Sequence, residues 1–98
     1  MTPFNLNQQA QQLPAAWRSK VLGKAAGAHV KVLRMDASSY PSEVHDFEEA
    51  LLVVEGQMNL EIGGQIIAVR AGEVFIVAAG QAHAVVPGSH GTLVIIDR

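Results

Sequence analysis

The chain has 98 residues, 49% hydrophobic and 16% charged, with a formal net charge of -2 and no cysteine. That length supports one core and not two, and so little charge on a small domain implies that some apolar surface is hidden against a second copy. No lysine or arginine block is present to neutralise phosphates, no apolar run is long enough for a membrane span, and any metal ion must be held by nitrogen and oxygen alone.

The first twenty residues carry no basic or apolar leader segment, so a cytoplasmic location is expected. NLNQQAQQLP offers Asn7 as an N-cap, good helix formers after it and Pro14 as a stop, which predicts a short helix or an arm. WRSKVLG (17–23) reads as a weak strand, with Trp17 an anchor at a sheet edge or subunit contact, and HVKVLRM (29–35) reads as a firmer strand. SSYPSE reads as a loop. EVHDFEE (43–49) then runs directly into the apolar ALLVVEG. In an extended chain, alternate side chains share a face, so Glu43, His45, Phe47 and Glu49 stand together. Ionisable groups on a core-facing strand cost several kcal/mol unless paired or bound, and a metal ion is the partner that suits this set.

From residue 56 onward glycines recur at 56, 64, 72, 80 and 88, each bounding a short β-prone run such as QIIAV or EVFIV. Turn signals at that spacing predict an antiparallel sandwich or barrel of roughly eight strands. Gly63-Gly64 marks the clearest hairpin, and RAGE and VPGSHG mark further turns. No domain boundary is visible, so residues 1–98 are read as one domain.

His45, Glu49 and His83 are the candidate ligands, the last lying 34 residues beyond Glu49. A closed barrel can aim side chains of distant strands at one interior point. Two histidines and a carboxylate leave coordination positions open for substrate or dioxygen, and suit iron, zinc, manganese, nickel or cobalt. Glu43 can add a fourth oxygen. The plainer alternatives are a solvated acidic loop for HDFEE and a surface histidine at position 83. His29 reads as structural and His90 as exposed in a tip loop. Phe47, Met58 and Phe75 are core or cavity lining. Lys31 and Arg34 read as an outward solvated face, with reach to a substrate carboxylate or phosphate as the other possibility.

These residues resemble the two motifs of the cupins. In the first, His45 stands at the second histidine, Glu49 at the glutamate and Gly56 at the closing glycine, while Ala37 replaces the opening glycine and Glu43 the first histidine. In the second, Gly72, Gly80 and His83 fit, while Ala78 replaces a proline and Pro87 an asparagine. The resemblance covers residues 28–97 and is to small single-domain bacterial cupins of the cupin-2 type. It implies an all-β fold, a jelly-roll β-barrel (double-stranded β-helix) over 28–97, with residues 1–27 as an N-terminal arm and strand. It also implies a mononuclear divalent metal site at His45, Glu49 and His83, with Glu43 offering a carboxylate where the family has imidazole. Two carboxylates make a harder, neutral site that favours Mn, Fe or Zn over copper; alternatively Glu43 is a general base. A small-molecule ligand and a homodimer are expected, the latter because exposed sheet edges are protected by pairing. An oxygenase or isomerase, a non-catalytic binding module for a sugar or small acid, and a metal-free structural dimer all remain open at this point.

Overall fold

The computed structural model describes residues 1–98. A short helix, α1 (Leu6–Gln11), precedes eight strands: β1 (Lys20–Ala25), β2 (Ala28–Met35), β3 (Tyr40–Glu43), β4 (Glu49–Ile62), β5 (Gln65–Arg70), β6 (Val74–Val77), β7 (His83–Val85) and β8 (His90–Asp97). All pairings are antiparallel. The sheet runs β1-β2-β8-β4-β7-β3, with β5 and β6 also bonded to β4, and it curls around an interior.

Strand alternation sorts the apolar residues between two clusters. Leu33 and Met35 of β2, Leu51, Val53, Met58 and Leu60 of β4, and Leu93 of β8 fill the interior. Val32 and Val94 point to the outer face, where Ala10 of α1 covers them. Fully burying a side chain such as Leu60 or Val53 contributes about 1.5–3 kcal/mol, so the interior is the main source of stability.

The helix begins two residues earlier than its sequence suggests. Asn5, not Asn7, is the N-cap, with its side chain accepting from the Gln8 backbone N–H. Starting at Leu6 lets Leu6 and Ala10, four residues apart, both face the sheet. Arg34, on the outer face of β2, donates to the carbonyls of Ala10 and Leu13 and so closes the helix's far end. The first strand also starts later than WRSKVLG suggests, at Lys20. The segment SSYPSE is not wholly loop: Tyr40–Glu43 forms β3, an edge strand, where a proline that cannot donate is tolerated.

All five glycines of the eight-residue rhythm have positive φ. Two glycines carry a further demand. Gly56 of β4 and Gly91 of β8 face each other across the ladder, just past a register shift between Val53 and Glu55. A Cβ on Gly91 would lie 2.0 Å from the Glu55 carbonyl oxygen, and one on Gly56 would lie 2.1 Å from that of His90. Backbone meets backbone there, so nothing can move aside.

Gly91→Ala is therefore expected to cost about 2–4 kcal/mol, from overpacking plus a left-handed φ. Gly72→Ala, with a similar φ but open space around it, should cost only about 1–2 kcal/mol. Urea unfolding of both variants checks this; equal losses would show that the close approach adds nothing.

Candidate functional site

β3 and β7 pair with Glu43 directly opposite His83, which brings the 43–49 segment to the second-motif histidine. The chain turns a corner at 44–48 between β3 and β4, and the Gly80 N–H bonds to the His45 carbonyl at 2.7 Å across that corner. Despite the corner, Glu43, His45, Phe47 and Glu49 all line one cavity of about 280 Å³, whereas Asp46 and Glu48 are exposed. Simple alternation thus grouped four residues that do share one cavity, although the strand is interrupted.

One ligand atom from each of Glu43, His45 and His83 lies within 4.8 Å of the others. His45 Nε2 is 3.2 Å from Glu43 Oε2 and 4.0 Å from Glu49 Oε2. His83 Nε2 is 3.2 Å from Glu49 Oε1. On its other side, His83 Nδ1 is 3.1 Å from the carbonyl of Gln81. A carbonyl only accepts, so Nδ1 carries a proton and Nε2 is the ring atom turned towards Glu49. His45 Nε2 is buried and has no hydrogen-bond partner. Lone pairs facing lone pairs at this distance require a positive species between them, either a proton or a metal ion.

The electrostatics follow from burial. Glu49 is 7% exposed, and desolvation, then its hydrogen bond with Asp97, push its pKa up against the opposing pull of His45 and His83. Tyr40, which also lines the cavity, is pushed up first by the negative charge of Glu43 and then by burial. Phe47 stacks on His45 with centroids 4.9 Å apart and planes 11° apart, which holds the imidazole's orientation. Trp17 lines the cavity beside Tyr40, with its rings 5.7 Å from the tyrosine's. Its Nε1 donates to Asp36 at 2.8 Å, a bond that holds the Asp36 carboxyl below its usual range.

The cupin-2 family, described as the cupin domain, matches residues 32–97, from β2 to the end of β8. The chain is a cupin. Among solved structures, a cupin-2 domain protein of Shewanella frigidimarina is 22% identical, with a TM-score of 0.86 over 97% of this chain and 94% of its own. A Neisseria meningitidis protein is also 22% identical, with a TM-score of 0.83 over 98% of each chain. A Ralstonia eutropha protein described as a candidate mannose-6-phosphate isomerase is 18% identical, with a TM-score of 0.72 over 88% of this chain and 86% of its own. At those identities the likeness is one of fold. Among curated proteins none matches.

In this cupin all four residues singled out for a metal, Glu43, His45, Glu49 and His83, line the same cavity. His83 is 7% exposed, not a surface histidine. Of the other candidates, Phe47 and Met58 line the cavity and Phe75 only packs against the core; His29 and His90 lie outside. Lys31 departs from its expected outward placement. It shares the inward phase of Leu33 and Met35, and its Nζ lies 2.8 Å from Asp97 Oδ1. Asp97 itself escaped sequence reasoning. The available signal was its period-two phase with Leu93 and Ile95 in β8, which places it on the interior face.

The raised Glu49 pKa has a sign that can be tested without metal. The folded state binds that proton more tightly than the unfolded state, so this contribution to stability is complete below the ordinary value of 4.5 and is lost as pH rises through the raised value. In chelator, Glu49→Gln should therefore lose less stability than wild type as pH climbs across that window. Parallel slopes in urea unfolding across pH would contradict it.

Proposed function

We propose that this cupin holds one divalent metal ion through His45, Glu49 and His83, with Glu43 as a fourth oxygen donor, and binds or transforms a small neutral polar molecule beside it. The observation that carries the reading is the pair of imidazole Nε2 atoms turned into a cluster of carboxylate oxygens, one of them buried without any hydrogen bond. The donor set fits a borderline-to-hard ion such as Mn, Fe, Ni or Zn, and His83 is oriented from behind by the Gln81 carbonyl as metal-binding histidines are. When bound, such an ion supplies Lewis-acid polarisation of a ligand oxygen.

The protein's own groups account for the rest. Leu33, Leu51 and Leu93 keep bulk water from the inner wall, and Trp17 and Tyr40 offer flat faces to a ligand. Glu43, with a side chain 39% exposed, is the most accessible carboxylate of the cluster and is placed to accept a proton from a ligand hydroxyl if it does not ligate. Three carboxyl groups line the cavity against a single lysine, and that lysine is paired with Asp97. An anionic ligand would therefore meet no uncommitted cation, which favours a neutral one.

Elemental analysis of protein loaded with Mn, Fe, Ni or Zn should give near-stoichiometric metal in wild type and little in His83→Ala. Absence of uptake by wild type from any of the four ions sinks the reading. For the loaded protein, neutral sugars and polyols should raise Tm in a saturable way, and their phosphate esters should not. Stabilisation by the esters alone would refute a neutral ligand, and turnover in the same screen separates an enzyme from a binding module.

A homodimer through the outer sheet face belongs to the same proposal. Val74, Ile76 and Ile96 are 54%, 58% and 38% exposed, and they flank Ala50 and Leu52 on adjoining strands as one apolar surface. Sedimentation should show a dimer for wild type and a monomer for Ile76→Glu; a monomeric wild type would end this part of the proposal.

A further inference from the structure

Two residues other than glycine have a left-handed backbone, Ala26 with a φ of 52° and Trp17 with a φ of 65°. Ala26 and Gly27 form the two-residue turn between Ala25 and Ala28, the paired ends of β1 and β2, and a tight hairpin favours positive φ at both central positions. Trp17 has no such reason. It lies in the link between α1 and β1, outside any hairpin, where a bulky residue in this conformation is strained and glycine would serve the backbone better.

Three contacts hold Trp17 in place. Its backbone N–H donates to the Arg34 carbonyl at 2.8 Å. Its indole Nε1 donates to Asp36 Oδ1 at 2.8 Å, and the same oxygen accepts the Ser38 N–H at 2.9 Å, which fastens the indole to the loop after β2. Its ring lies against Tyr40, with centroids 5.7 Å apart and planes tilted by 39°. The indole is thus fixed at the cavity wall before a ligand arrives, and a side chain already fixed loses little freedom on contact. Backbone strain of this kind collects at ligand clamps.

The chemistry of the indole narrows what it can hold. Its face offers apolar area and π density, and its one N–H is already committed to Asp36. The rest of the wall is polar: Ser19, Lys31 and Asp97 line it together with the Glu43, His45, Glu49 and His83 cluster. A pyranose suits both parts, because its C–H bonds stack on an aromatic face while its hydroxyls reach donors and acceptors around the rim. An open-chain polyol carries the same hydroxyls but no such face. At about 280 Å³ the cavity falls just below the roughly 300–1,000 Å³ typical of small-ligand pockets, which suits one sugar ring and not a chain of them. We propose that Trp17 is a specificity-determining residue that selects the closed pyranose ring of a neutral monosaccharide over an open-chain polyol, with Asp36 as the residue that positions its indole. The proposal rests on the reading above that the cavity takes a small neutral polar molecule.

Trp17 is the chain's only tryptophan, so its fluorescence reports this wall directly. The full chain, both metal-free and Zn2+-loaded, is titrated with glucose, galactose, mannose and xylose and with the matching alditols, sorbitol, galactitol, mannitol and xylitol. At least one sugar should shift the emission saturably and bind about 10-fold or more tightly than its alditol. By calorimetry, Trp17→Leu should lose that preference, Trp17→Phe should keep most of it, and Asp36→Ala should reduce it while alditol affinity stays unchanged.

A preference intact in Trp17→Leu, even with a lower Tm, would give Trp17 a purely structural role and overturn the proposal. Equal losses in Trp17→Phe and Trp17→Leu would overturn stacking, since apolar area and not a flat ring would then be what counts. If Trp17→Leu does not fold, Asp36→Ala decides, and a preference unchanged from wild type overturns the proposal. Alditols bound as tightly as sugars would remove this inference alone and leave the neutral-ligand reading standing. No binding of any sugar or alditol, with or without Zn2+, would end both. The metal-free titration tests the stacking even where Zn2+ is not taken up.

Discussion

Strand β4 is bonded to four neighbours, β5, β6, β7 and β8, and the remaining elements are arranged around that fact. A single flat strand cannot serve four partners, because each edge of a strand offers one row of donors and acceptors. β4 solves this over 14 residues by changing partners along its length, with β6 paired to its first half and β5 and β7 to its second. The change falls at the register shift after Val53 and at Gly56, where contact with Gly91 excludes any side chain. The curl that encloses the cavity therefore depends on two backbones approaching where no Cβ fits.

The same strand organises the site. Glu49 is its first residue, and Leu60 near its far end pairs with Val85 of β7, the strand that starts at His83. β7 also pairs with β3, so Glu43 is set opposite His83. Residues separated by tens of positions meet because one curved strand holds both ends of the path. Such a scaffold can hold an arrangement that a flexible loop would relax: imidazole nitrogens and carboxylate oxygens held together in a largely apolar interior.

That arrangement is costly in metal-free protein. Burial raises the Glu49 pKa, and Asp97 raises it further, against the opposing pull of His45 and His83. A metal ion would compete with protons for this carboxyl group, which would couple occupancy of the site to pH and give ion binding a direct effect on stability. Lys31 offsets part of the charge that Asp97 adds. The interior accordingly sets three carboxyl groups against a single lysine.

Several features were legible because they depend on local pattern. The eight-residue glycine rhythm marked turns, and each of those glycines does adopt a positive φ. Period-two alternation gathered Glu43, His45, Phe47 and Glu49, which do line one cavity. The spacing around His45, Glu49, Gly72, Gly80 and His83 carried the family. Other features were not legible. Asn5 and Asn7 are equivalent caps until the sheet selects which helical phase buries Ala10. Tyr40–Glu43 lacks the composition of a strand and becomes one by pairing with β7. Lys31 looked solvated, since a lysine inside a barrel makes sense only once Asp97 is seen beside it. By itself, then, the sequence determined the strand rhythm, the barrel class and the identity of the candidate ligands, because turn φ and side-chain alternation are set by neighbouring residues. Only the tertiary structure decided how those ligands face one another and that Lys31 and Asp97 stand behind them, because such contacts depend on register between strands far apart in the chain.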